Sequence, residues 1–330
     1  MATTEQQSLI RSRSDSRSSN SQGKASPFGG IKHARFLSPD VPYHALIRVV
    51  QGRFLLRPDD QGRMRRLVGG VMGRAREVYP AVRIFADAWL SNHAHLLVQG
   101  PPDQLSAFLG FVSREISRRW GAVLGWEGNM FVTYIATALP TPESQQRAFT
   151  YVLAQSAKEH LVQSPLHWPG AHSARDLVAG LERTGVWFDG TGYGRALHRW
   201  LARPGAAKRP SRRSYQRAVT MAFDKLPALA HLDDAYYRSH VREVVEEIER
   251  EAAAERRATG RRLVGRRAIL RTPREKRSSL PRPPWFELRR RMICWADRWA
   301  SATRAYLEAY WRFQRAHRAA SMRFLAGRIP

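Results

Sequence analysis

The stretch that most constrains this chain is Ser91-Asn92-His93-Ala94-His95-Leu96-Leu97-Val98. Two histidines flank one small apolar residue, and an aliphatic run follows. The preceding segment, Val82–Trp89, is also apolar, so the region reads as two strands broken near Ser91 and Asn92. Side chains alternate faces along a strand. His93 and His95 therefore share one face, while Ala94, Leu96 and Val98 share the other and are expected to meet a core. Two imidazoles side by side on a sheet make a natural pair of metal ligands. An unremarkable exposed strand is the alternative, and context has to decide between them.

The flanking sequence supplies a sheet. Tyr43–Val50 is β-branched and apolar and predicts a strand. Pro58–Tyr79 carries Met64, Leu67, Val68, Val71 and Met72 at helical spacing. Pro102 opens a second helix to about Trp120, with Leu105, Phe108, Leu109, Val112 and Ile116 on one face. Phe131–Ala138 predicts a fourth strand, and Glu143 to about Gln163 a third helix. The first six elements run strand, helix, strand, strand, helix, strand. That order predicts an α+β fold with a ferredoxin-like four-stranded antiparallel sheet and two helices on one face. The histidine strand is expected to be central, with its other face open for the third helix.

Charge narrows the partner. The chain of 330 residues has 55 Lys and Arg against 28 Asp and Glu, a formal net charge of +27. A polyanion is the first inference, and nucleic acid the commonest one. The excess is mostly arginine, which suits bidentate phosphate contacts. Cys294 is the single cysteine, so no disulfide can form within the chain and no cysteine zinc site exists. No apolar run approaches the roughly 18 residues needed to span a membrane. No apolar signal-peptide core opens the chain, so a cytoplasmic location without membrane partners is expected.

With both motifs in view, the chain resembles the single-tyrosine HUH transposases, the insertion-sequence enzymes and their REP-associated relatives. His93-Ala94-His95 matches the His-x-His for which they are named, within Ser91-Asn92-His93-Ala94-His95-Leu96 where relatives carry Pro-Asn-His-x-His. Tyr151-Val152-Leu153-Ala154-Gln155-Ser156-Ala157, followed by Trp168-Pro169, matches the tyrosine helix and the Trp-Pro after it. The likeness covers residues 36–170. It implies the HUH endonuclease fold and cleavage of single-stranded or hairpin DNA through a 5′-phosphotyrosine. It also implies Tyr151 as nucleophile and a Mg²⁺ or Mn²⁺ ion on His93, His95 and Gln155. Gln155-Ser156 replaces the Asn-Pro of the REP-associated group, but the insertion-sequence enzymes carry Gln there as a third ligand. The alternative is a catalytically inactive, domesticated DNA-binding protein that keeps the fold. An RNA-binding protein would share the charge but leave the histidines unexplained.

Tyr151, Gln155 and Lys158 fall at i, i+4 and i+7 and share one helix face, which is expected to lie over His93 and His95. Lys158 is better read as a solvated lysine than as a phosphate contact. Tyr134 is the rival nucleophile. His44, His160, His167 and His172 have no motif to support them. Outside 36–170, residues 1–27 form an Arg/Ser-rich tail expected to be disordered. Residues 171–330 read as a basic, mostly helical extension. It includes a basic, loop-like segment at Arg203–Arg217 and a charged helix at Tyr236–Arg257. Ten Arg and Lys but one acid, Glu275, lie between Arg256 and Arg277, a density that usually tracks phosphates. A long helix is expected from Phe286 to about Leu325. Its apolar stripe, through Trp295, Trp299, Tyr306 and Tyr310, is expected to pack on the catalytic domain or to pair two subunits as a homodimer.

Overall fold

The computed structural model describes residues 34–203, 208–278, 293–295 and 300–326. The expected tail at 1–27 lies outside them, as does most of 286–299; of the helix expected from Phe286, residues 293–295 are instead extended, held by the Trp295 backbone N–H on the Ala138 carbonyl, and the helix begins at Ser301. Two compact units are distinguished, one of residues 36–312 and one of 1–35 with 313–330. In the smaller unit, the Gln314 amide donates to the Ala34 carbonyl at 2.7 Å.

The larger unit is built on four strands: β1 (Tyr43–Arg48), β2 (Arg83–Trp89), β3 (His93–Gln99) and β4 (Ile135–Ala138). They pair antiparallel in the order β2-β3-β1-β4. Helix α1 (Arg63–Val78) joins β1 to β2, and α2 (Pro102–Leu124) joins β3 to β4. The result is a mixed α/β structure with one four-stranded antiparallel sheet. Alternation sets its two faces. Tyr43, Ala45, Ile47, Ala94, Leu96 and Val98 pack with Val68, Val71 and Met72 of α1 and Phe108, Val112 and Ile116 of α2. On the other face, Phe85, Ala88 and Leu97 meet Ala148, Phe149 and Val152 of α3 (Pro142–Lys158). Behind α3 comes α6 (Asp234–Thr259), through Tyr237, Val241 and Val245.

Several ends differ from the sequence expectation, each for a local reason. Helix α1 starts at Arg63 because the buried Asp59 carboxylate accepts from the Arg63 and Met64 backbone N–H at 3.0 and 2.8 Å. Helix α3 starts on a capping box between Thr141 and Ser144, with Pro142 in the first turn. It stops at Lys158 because His160 takes a left-handed φ of 52°. Strand β4 starts only at Ile135 because its pairing with β1 slips by one residue there, from Leu46 opposite Ile135 to Val49 opposite Phe131.

The segment 171–235 holds more order than its composition suggests. After α4 (Ala174–Ala179), β5 (Arg183–Phe188) and β6 (Gln216–Met221) form an antiparallel hairpin. Between them lies α5 (Gly190–Ala202). The hairpin packs on α1, and three mid-helix glycines explain how. A Cβ at Gly69 would stand 2.6 Å from the Thr184 carbonyl, and one at Gly73 would stand 2.8 Å from a Val219 methyl. Gly70 and Gly185 meet backbone to backbone. Glycine costs about 1 kcal/mol in a helix interior relative to alanine. Here that cost is offset by a strand lying directly on the helix. The hairpin is also tied to the sheet. The fully buried Arg183 guanidinium donates to Asp87 of β2 at 2.5 Å and to Asp176 at 2.8 Å. Among the described residues two helices follow α6: the short α7 (Gly265–Arg271) and the 25-residue α8 (Ser301–Leu325). Among the described residues no helix is long and apolar enough to cross a membrane.

Candidate metal and tyrosine site

Strand β3 places His93 and His95 on the face that meets α3. In the β1–β3 register, His93 lies opposite Arg48 and His95 opposite Leu46. The even-numbered positions of β1 therefore share the histidine face, and His44 is a diagonal neighbour of His95. Helix α3 packs over β2 and β3 with Tyr151 and Gln155 turned inward. The Tyr151 ring lies 5.6 Å from the His95 ring and 5.7 Å from the His44 ring, nearly perpendicular to both. The four residues singled out by sequence, His93, His95, Tyr151 and Gln155, thus come together between β3 and α3.

The hydrogen bonds at the site decide which atoms are available. His93 Nδ1 sits 2.6 Å from Asn92 Oδ1, a contact that requires the proton on Nδ1 and leaves Nε2 with its lone pair. His95 Nδ1 sits 2.7 Å from His44 Nε2, and the two rings stack 7° from parallel. His95 Nε2 is buried and makes no hydrogen bond of regular geometry. Gln155 is buried, and its Nε2 donates to the Tyr151 carbonyl at 2.9 Å. That leaves Oε1 as the free end of an amide that interacts with both histidines and with the Tyr151 hydroxyl.

Burial sets the charge state. It lowers the pKa of His44 and of His93 to about 4, helped by the charge of His93 on the first and of Arg48 on the second. Burial also holds His95 well below the ordinary histidine range. All three rings are neutral at neutral pH, as metal ligation demands. Burial raises the Tyr151 pKa, and the nearby Arg48 charge opposes that rise.

Metal ligands normally engage their second ring nitrogen in a hydrogen bond that fixes the tautomer. His93 has such a bond to Asn92 and His95 to His44. The buried, unsatisfied His95 Nε2 is the atom a cation would satisfy, and Gln155 Oε1 adds a hard oxygen. The donor set therefore fits a divalent ion. Among the described residues no group of three His, Cys, Asp or Glu side chains could hold a metal. A two-imidazole, one-amide set is of a different kind.

Other candidates fall elsewhere. Tyr134 packs with the α1–α2 core, on the opposite sheet face, and its hydroxyl donates to Ser106 Oγ at 3.2 Å. Lys158 Nζ lies 5.1 Å from the centre of the Tyr151 ring, closer to the site than a purely solvated lysine needs to be. His160 closes α3, and His172 accepts from the Ala174 backbone N–H. Trp168 is a lock, with Nε1 donating to the Trp89 carbonyl at 2.9 Å.

Sequence reasoning missed His44, Arg48 and Trp295. For the first two the signal existed. Tyr43, Ala45 and Ile47 alternate as core, which puts His44 and Arg48 on the histidine face. Trp295 belongs to the apolar stripe expected to pack on the catalytic domain, but nothing local marks it as a neighbour of Tyr151. Residues 293–295 run beside β4, with the Trp295 backbone N–H donating to the Ala138 carbonyl at 2.9 Å. This sets the indole 5.0 Å from the Tyr151 ring. A cleft of about 420 Å³ opens there, lined by Arg147, Tyr151, Lys158, Glu251, Glu255 and Trp295 among others.

No protein-family model matches the chain, and no curated protein matches it. Among solved structures, a REP-associated tyrosine transposase bound to a REP hairpin is similar at 15% identity and a TM-score of 0.37. That likeness covers 46% of this chain and 87% of the other, a distant structural relationship.

Proposed function

We propose that this protein is a transposase-type enzyme with the ferredoxin-like HUH fold, which cuts and rejoins single-stranded DNA. The observation that carries the reading is the convergence of Tyr151 with His93, His95 and Gln155 between one strand and one helix. In this reading the Tyr151 oxygen attacks a phosphodiester phosphorus. A P–O bond to tyrosine forms, the bond to the 3′-oxygen breaks, and the phenolic proton leaves. The DNA carries away a 3′-hydroxyl, and the protein keeps the 5′-phosphate. Rejoining reverses the exchange, so no nucleotide cofactor is consumed. Mg²⁺ or Mn²⁺ held by His93 Nε2, His95 Nε2 and Gln155 Oε1 would act as a Lewis acid, making the phosphate more electrophilic and stabilising the leaving oxygen.

The chain's own residues do the rest. Tyrosine is a weak nucleophile at its ordinary pKa of about 10, and burial raises that of Tyr151 further. Positioning therefore has to supply much of the rate. Helix α3 fixes the ring against His95 and Trp295. Arg48 and Lys158 put positive charge beside it, which favours both phenolate and bound phosphate.

Wild-type protein should form a denaturation-resistant adduct when the label lies 3′ of the cut, and none when it lies 5′. Tyr151→Phe should abolish the adduct while keeping the fold and DNA binding, whereas Tyr134→Phe should retain it. EDTA should stop adduct formation. An adduct formed normally by Tyr151→Phe would sink the assignment. Absence of any adduct from wild type on hairpin substrates would favour the inactive DNA-binding alternative.

A further inference from the structure

The β5–β6 hairpin and α5 carry a charge pattern that the catalytic reading does not use. Between residues 190 and 217 there are eight Arg and Lys and no Asp or Glu. Helix α5 has no buried residue, and Arg195, Arg199, Arg209, Arg212 and Arg213 are all exposed. Asp189 spends its carboxylate capping α5 on the Gly192 backbone N–H at 2.9 Å. Several of these cations are held in place. The Arg212 guanidinium lies 4.6 Å from the centre of the Phe188 ring, and that of Arg209 lies 5.7 Å from Trp200.

The surface is also rigidly mounted. At 100° per residue, Val68, Val71 and Met72 fall on one side of α1 and Gly69, Gly70 and Gly73 on the other. The first set meets the sheet and the second meets the hairpin. The hairpin thus stands beyond α1, and α5 leaves its Phe188 end beside α2, where Arg119 donates to the Phe188 carbonyl at 3.0 Å, so the helix layer and the sheet lie between this surface and Tyr151. That separation is on the order of 20 Å.

We infer that this face is a second nucleic-acid contact surface, which grips a phosphate backbone away from the tyrosine. It rests on the proposed function only for the identity of the polymer. Exposed guanidinium groups, those of Arg209 and Arg212 ordered over aromatic rings, complement a row of phosphates, while Arg217 is paired with Glu77 of α1 and stands outside that row. Arg195 and Arg199, one helical turn apart, lie about 6 Å from each other. An anionic lipid surface is the competing partner and is disfavoured. An interfacial helix inserts its aromatic faces into the bilayer, whereas here arginines cover the Trp200, Tyr193 and Phe188 rings.

The test reads binding of the full chain to a labelled DNA hairpin with a single-stranded tail, across a salt series. Chelator is present throughout, so the result does not depend on cleavage or on Tyr151. Arg195→Glu/Arg199→Glu should weaken binding at least about tenfold and lower the slope of log K against log salt by about 2, the loss of two phosphate contacts. The charge-matched pair Arg304→Glu/Arg312→Glu, on α8, should shift affinity far less. Arg195→Gln/Arg199→Gln should give a smaller loss of the same kind, which guards against a folding defect in the reversal. Equal losses from the two reversed pairs would overturn the proposal, because net charge alone would explain them. So would unchanged DNA binding, with or without lost binding to phosphatidylserine vesicles. A missing tyrosine adduct would leave this result standing, so failure of one reading does not imply failure of the other.

Discussion

The two sides of the larger unit use the same residue classes in opposite ways. On the α3 side, His44, His95 and Gln155 are buried and His93 and Tyr151 half-buried beside Ala148, Phe149 and Leu153, and burial keeps the rings neutral. On the hairpin side, arginines stand in water. The first side has few polar groups, set among apolar side chains, and His95 Nε2 is one of several of their atoms that make no hydrogen bond of regular geometry. The second has many cations with few anions. A buried site gains from low dielectric, because each dipole acts strongly on the reacting group. An exposed basic face gains from number, because each phosphate contact is weak and screened by salt. Chemistry and grip therefore sit on different layers, joined through one helix.

The sharpest way to break this division is to cut the tie between the layers. Arg183→Met leaves Asp87 and Asp176 without their shared cation, and Asp87 is fully buried. Removing one partner of a buried ion pair typically costs about 3–5 kcal/mol. We expect a Tm fall on the order of 10 °C, read by circular dichroism. A fall under 2 or 3 °C would mean that the hairpin is not anchored through this pair.

Acid should separate the two sides next. His172 is buried beside Asp87 and Arg183, and burial lowers its pKa to about 4. Its folded pKa lies below its unfolded one, so on acidification the unfolded chain takes up the proton first. The stability is complete above about pH 6.5 and is lost as pH falls toward 4. Between pH 7 and 5 the loss from this group alone is about 2 kcal/mol. His44, His93 and His95 act in the same direction. Denaturant melts of His172→Gln should show a shallower pH dependence than wild type by that amount. An identical slope would show that His172 titrates normally.

The smallest expected effect tests how the metal side is oriented. His44→Ala removes the partner of His95 Nδ1 without touching a proposed ligand. Such outer partners usually matter 10–100-fold in metal affinity. Calorimetric titration with Mn²⁺ should show at least about tenfold weaker binding, with His44→Gln intermediate. Unchanged affinity would reduce His44 to packing.

Much of this was legible in the sequence, and what was not has physical causes. Strict alternation in Tyr43–Ile47 and Ala94–Val98 announced the sheet, and 3- and 4-residue steps announced α1, α2 and α3. The i, i+4 spacing of Tyr151 and Gln155 placed both over the histidines. His44 went unread because its meaning comes from cross-strand register and not from neighbours in sequence. The β5–β6 hairpin is hard to read because β5 packs through backbone, Gly185 against Gly70, and β6 offers only Val219 and Met221 as a short buried alternation. The basic run from Arg256 to Arg277 was read as a single phosphate track, yet part of it faces inward. Arg274 donates to the Leu55 and Arg57 carbonyls and covers the Trp120 ring, and burial pushes its pKa down to about 10. Arg262, Arg266, Arg267 and Arg271 stay exposed. Charge density alone does not distinguish a strap from a track.

The glycine side of α1 also bears on the order in which this protein assembles. With three glycines in sixteen residues, α1 is a poor autonomous helix, and its best cover lies more than one hundred residues further along the chain, at Thr184, Val186 and Val219. Closing that distance is slow relative to forming local helix or hairpin contacts. During synthesis the N-terminal part of the sheet emerges well before the hairpin, leaving α1 with one side packed and its carbonyls on the other side open to water. The helix between the two layers thus owes part of its permanence to a segment made well after it. The hairpin works as a clasp for the sheet domain as well as a platform for its own arginines.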